Sequence, residues 1–74
     1  MKAIEREPVF NPERKEERVV IIATSTPATL PTDGSTVTDM PDDVYVACGS
    51  VLIALDTSKK YIANEAGVFV EWTA

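Results

Sequence analysis

The stretch Gly49-Ser-Val-Leu-Ile-Ala-Leu-Asp-Thr-Ser-Lys-Lys-Tyr-Ile-Ala-Asn-Glu-Ala-Gly-Val-Phe-Val-Glu-Trp72 reads as three short strands, Val51 to Leu55, Lys60 to Ala63 and Val68 to Trp72. Two polar segments separate them. Asp56-Thr-Ser-Lys59 and Asn64-Glu-Ala-Gly67 have the composition of hairpin loops, the second offering Gly67 for a left-handed backbone position. Strands joined by turns this short pair antiparallel, so a β-meander is expected. On the last strand Val68, Val70 and Trp72 share one face, with Phe69 and Glu71 on the other. Tyr61 and Ala63 alternate in the same way with Lys60 and Ile62. Apolar residues therefore stand on both faces, which calls for a curled sheet or for cover from another chain.

Working upstream, Val44 to Cys48 reads as a further strand, and Gly49-Ser50 as a bulge or tight bend after it. Arg18 to Thr24 holds four consecutive β-branched residues, which favour the pleated conformation, and its lack of alternation predicts burial on both faces. Between these strands lies a turn-rich connection. Thr26-Pro27 is placed to start a helical turn, Leu30 is its anchor to the core, and Asp33-Gly34 is a turn pair in which glycine accepts positive φ. Residues 1–18 are polar, with Ile4, Val9 and Phe10 as isolated apolar points. Asn11-Pro12-Glu13 can cap one helical turn, whereas Pro8 and Pro12 favour an extended arm. The whole is expected to be mostly β: a small antiparallel β-meander or curled sheet over 19–74, preceded by an extended polar N-terminal arm over 1–18.

A chain of 74 residues makes one domain at most. It buries only about 60% of the surface its unfolded chain exposes, so it needs support from disulfides, a metal or a partner. Cys48 is the only cysteine and there is no histidine, so neither an internal disulfide nor a zinc site is available. Assembly with other chains is the expected support. Cys48 itself, between Ala47 and Gly49, reads as a small buried hydrophobe with nothing nearby to activate its thiol. The N-terminus is charged and lacks the apolar core of a secretory leader, and no apolar run approaches membrane-spanning length.

The charge is uneven. Residues 1–18 carry five basic and five acidic side chains, while residues 19–74 carry two basic and seven acidic ones. An acidic body repels phosphate, so nucleic acid is not an expected partner. Leu55-Asp56-Thr57-Ser58 is similar to the catalytic turn of aspartic proteases, but no second glycine-bearing motif accompanies it, and Asp and Ser are ordinary hairpin residues. Asp39-Met-Pro-Asp-Asp43, with Asp33 upstream, lacks the alternation of a calcium loop. No enzyme activity, cofactor, metal or small-molecule substrate is expected. Tyr45, Tyr61, Phe69 and Trp72 are expected to build the core, with a subset facing a partner. The candidate partner contacts are Val9, Phe10, Tyr61, Phe69 and Trp72.

Leu30-Pro31-Thr32, Gly49-Ser50-Val51, Asp56-Thr57, Lys60-Tyr61-Ile62, Asn64, Gly67 and the closing Glu71-Trp72 form a pattern over roughly residues 19–72. It resembles small structural proteins of tailed bacteriophages and prophages, which carry a Gly-Ser strand, an Asp-Thr-x-Lys-x-Tyr hairpin and a Gly-x-Trp-x ending. The chain departs from that pattern in having Phe69 where such endings have Trp, Trp72 at the tail, and an extra Lys in the hairpin turn. The resemblance implies a virion part assembled in the bacterial cytoplasm, a homo-oligomer in contact with other capsid or tail proteins. An accessory of the capsid shell, of decoration or head-fibre-base type, is the first expectation. A tail, neck or baseplate component, or a non-virion interaction module, is the alternative. The resemblance carries no binding residues with it.

Overall fold

A computed structural model of the chain describes residues 1–72; Thr73 and Ala74, the end of the expected 19–74 unit, lie outside the described residues. The fold is mostly β, as expected: six strands form one open mixed sheet. They are β1 (Lys2–Val9), β2 (Glu16–Ala23), β3 (Tyr45–Val46), β4 (Val51–Ala54), β5 (Lys59–Ala63) and β6 (Phe69–Glu71). The spatial order is β1-β2-β4-β5-β6, with β3 paired to the start of β2. The meander is β4-β5-β6, antiparallel throughout, and Gly67 takes positive φ in its second turn (77°).

Two features depart from a simple meander. First, β2 runs parallel to both β3 and β4, because residues 24–44 carry the chain back along the sheet before it pairs again at Tyr45. Second, residues 1–18 are extended but do not stand apart as an arm. β1 pairs antiparallel with β2 from Lys2↔Ile22 to Val9↔Glu16, and the expected boundary at residue 18 falls inside β2. A strand so rich in charge survives because it is an outer edge. Glu5, Arg6, Glu7 and Pro8, with a register shift between Ala3 and Glu5, also blunt that edge against further pairing.

β3 and β4 are one strand interrupted by a bulge. From Glu17↔Val46 to Val20↔Val51, β2 advances three residues while its neighbour advances five. The two extra residues fold into a turn closed by Ser50 N–H donating to Ala47 O at 3.2 Å, with Gly49 at φ 89°. The turn denies Val19 N–H a ladder carbonyl, and Ser50 Oγ accepts it instead at 3.0 Å. Ser50 is fully buried. The bend expected at Gly49-Ser50 is therefore present. Cys48, expected inside, is exposed on this turn, where only its carbonyl is used, by Arg18 Nε at 3.4 Å.

One face of the sheet is closed by residues 24–44. Val19, Ile21 and Ala23 of β2, Leu52 and Ala54 of β4, Tyr61 and Ala63 of β5 and Phe69 of β6 point into the core. Val37, Met40 and Val44 from the connection cover them, with Leu30 packed beside, so Leu30 has three companions that its own run did not announce. Asp33 caps a single 3-10 turn, Gly34–Thr36, and Gly34 is not in a positive-φ conformation as expected. It is needed for close approach: a Cβ there would lie 2.0 Å from Pro41 O. Where a helical turn was expected at Thr26, the chain is tied down. Thr26 N–H and hydroxyl both donate to the Asp56 carboxylate, at 2.9–3.0 Å.

Candidate interaction surface

The opposite face of the sheet receives no cover from the described chain. Alternation along each strand and the pairing registers place two ladders on it. One runs Lys2, Ile22, Ile53, Lys60; the other runs Glu5, Val20, Val51, Ile62, Val70. Trp72, whose N–H donates to Lys60 O at 2.8 Å, extends the first ladder past β6. Val20, Ile22, Val51, Ile53 and Ile62 are half-buried by their neighbours alone, and Val70 is exposed. A continuous aliphatic strip thus crosses four strands, with charges only at its margins. Arg18 lies along one end, beside Gly49 and within 3.7 Å of Glu7.

The β-branched run at 19–22 is what generates this surface. Its residues alternate faces as in any strand, so Val19 and Ile21 fill the core while Val20 and Ile22 look outward. The expected burial on both faces is realised within this chain on one face only.

The five expected contact residues do not form one surface. Tyr61 (9% exposed) and Phe69 (3%) belong to the core and offer no contact area, which removes both from the outer surface. Val9 and Phe10 sit together at the β1–β2 hairpin, Val9 half-buried opposite Glu16 and Phe10 90% exposed. Trp72, 49% exposed, stands at the far margin of the aliphatic strip. Tyr45, expected in the core, is instead exposed beneath the Arg14 guanidinium, 4.3 Å from its ring centre. The aliphatic residues of the strip, absent from the expected contact set, were marked by apolar residues on both faces of the strands, though not by position.

Several ionisable groups tie neighbouring strands and loops together. The side-chain hydrogen bond from Arg6 holds the Glu17 carboxyl below its ordinary value; Arg6 donates to both of its oxygens and also to Asp39 O. Asp56 is held low first by the Thr26 backbone N–H and then by its hydroxyl, and Asp33 is held low by the Ser35 hydroxyl and backbone N–H. Lys59 is raised by its bond to Glu71 at 3.1 Å. Asp43 is drawn to Lys15. Among the described residues, no three His, Cys, Asp or Glu side chains are grouped to hold a metal ion. No helix there is long and apolar enough to cross a membrane.

No family model matches the chain, and comparison with curated proteins and with solved structures gives no match.

Proposed function

We propose that this protein acts by assembly, with the uncovered sheet face packed against another protein chain. One observation carries the reading: an aliphatic strip across β2, β4, β5 and β6 that nothing in the described chain covers. Chains of this size have little core to spare, and removing such a strip from water adds the stabilisation that a small single core lacks. The placement of charges agrees with this use, since Lys2, Lys60, Glu5 and Arg18 frame the strip in the manner of a polar rim around an apolar centre.

The setting we propose is the particle of a tailed bacteriophage, with the chain as an accessory of the capsid shell, of decoration or head-fibre-base type. Its partners there are other virion proteins, and it is assembled with them in the bacterial cytoplasm. The support for this setting is the resemblance over residues 19–72. Mass spectrometry and protease protection of particles purified from the encoding strain test it. The chain is expected in the particles at a fixed ratio to the major shell protein. Its absence from them removes the virion setting, and a stable complex with one free protein partner would favour a non-virion interaction module.

A further inference from the structure

The most anomalous side chain is Phe10. At 90% exposure it is more exposed than any other large hydrophobic residue among those described. It does not sit on a loose loop. Asn11 Oδ1 accepts Glu13 N–H at 2.9 Å, Arg14 stacks on Tyr45 and bonds Glu16 at 2.8 Å, and Lys15 reaches Asp43 at 3.2 Å. The hairpin tip that presents Phe10 is thus held in shape before any partner arrives, which lowers the ordering cost of docking.

At the other end of the same hairpin lies an apolar groove of about 390 Å³, lined by Met1, Lys2, Ile4, Ile22, Thr24 and Thr38. The groove is shallow and open to solvent, and its surface is mainly apolar, so it offers a phenyl ring an apolar seat rather than an enclosing pocket. At the tip Arg14 and Lys15 are engaged within the chain by Glu16 and Asp43, which leaves, among the described residues, one unpaired charge of each sign, at the tip and at the groove. Lys2 stands on the groove wall, and Glu13 is exposed three residues beyond Phe10; neither forms an ion pair among the described residues.

We infer that Phe10 of one copy docks into the Ile4–Ile22 groove of a second copy, with Glu13 facing the second copy's Lys2. Knob and groove lie at opposite ends of one hairpin, so the contact is head-to-tail. Such a contact leaves a free knob and a free groove at the two ends and continues into a ring or a row. This deepens the assembly reading, because Ile22 belongs to the aliphatic strip, and it names a second copy as the partner at that end.

The test is analytical ultracentrifugation of the full chain up to roughly 1 mM, the range in which a contact with one aromatic anchor becomes visible. Wild-type protein is expected to show a concentration-dependent series of species. Phe10→Ser and Ile4→Glu, both at exposed positions, are each expected to keep the wild-type melting temperature and to weaken self-association by about tenfold or more. Mixing the two variants is the decisive arm. The Phe10→Ser copy keeps its groove and the Ile4→Glu copy keeps its knob, so the mixture is expected to form a 1:1 dimer that grows no further. A monomeric wild type, a Phe10→Ser variant that associates like wild type, or a mixture that stays monomeric would each overturn the inference. A monomeric wild type that still enters purified particles would leave the assembly reading standing while removing this contact.

Discussion

Ser50 Oγ accepts the Val19 N–H at 3.0 Å, across the point where the strand running from Tyr45 to Ala54 bulges away from β2. A backbone carbonyl would normally occupy that place. Because the turn at Ala47–Ser50 removes it, one buried hydroxyl keeps the central pairing of the sheet satisfied, in a residue with no exposed surface.

Replacing Ser50 with Ala leaves the Val19 N–H without a partner. The expected cost is about 1–3 kcal/mol, the penalty for a buried unsatisfied donor. Thermal or urea unfolding measures it, as a drop in melting temperature of ~4–8 °C per kcal/mol for a domain of this size. A loss below about 0.5 kcal/mol would show that the bulge rearranges and that the hydroxyl is dispensable.

The glycines separate by what a methyl group would meet. Gly34→Ala drives Cβ to 2.0 Å from Pro41 O, a backbone atom, and is expected to cost about 3 kcal/mol or more. Gly67→Ala meets Val46 O at 2.7 Å at φ 77° and ranks second. Gly49→Ala, at φ 89°, meets only the movable Arg18 side chain at 3.2 Å and ranks last. Equilibrium unfolding of the three variants checks the order.

Adjacent residues on β4 test the two faces. Leu52 is fully buried, so Leu52→Ala is expected to cost about 2–5 kcal/mol. Ile53 looks out from the uncovered face, and Ile53→Ala in the isolated chain is expected to cost less than about 1.5 kcal/mol. Equal costs would mean that the outer face is already covered in the free protein.

The fastening of Thr26 by Asp56 makes stability depend on pH. A carboxylate whose pKa is depressed by folding contributes fully above its unfolded value, here 3.8, and loses that contribution as pH falls through the folded value. Asp33 and Glu17 act in the same direction. The urea midpoint is therefore expected to fall from pH 5 to pH 2. Asp56→Asn is expected to lower the midpoint at pH 7 and to make the acid loss smaller; an unchanged acid loss would contradict the role of the Asp56–Thr26 bonds.

The meander from Gly49 to Trp72 was legible because local signals coincide there: β-branched runs, polar turns, and Gly67 where positive φ is needed. β1 was not legible as a sheet strand. Its neighbour pairs with it mainly through backbone, and only Ala3 contributes a buried hydrophobe, so the sequence of this edge shows charge and little periodicity. The parallel pairing of β2 with β4 lay beyond reach for another reason. A connection from 24 to 50 fixes no register, and the contacts that fix it, Ser50 to Val19 and Asp56 to Thr26, join residues about thirty positions apart. The aromatic residues divided: Tyr61 and Phe69 went into the core, as the core reading expected, while Tyr45 went outward to Arg14 and Trp72 stayed exposed. Aliphatic residues carry the candidate surface, and their composition alone does not distinguish it from core.

The proposed assembly covers the face formed by Val20, Ile22, Val51, Ile53, Ile62 and Val70 with another protein chain. Carbene footprinting of the chain, free and within purified particles, measures that cover residue by residue. These outward side chains are expected to be labelled in the free protein and protected in the particle, while Leu52 and Ile21 stay unlabelled in both. Equal labelling of Ile53 and Ile62 in the two states would contradict the proposed cover.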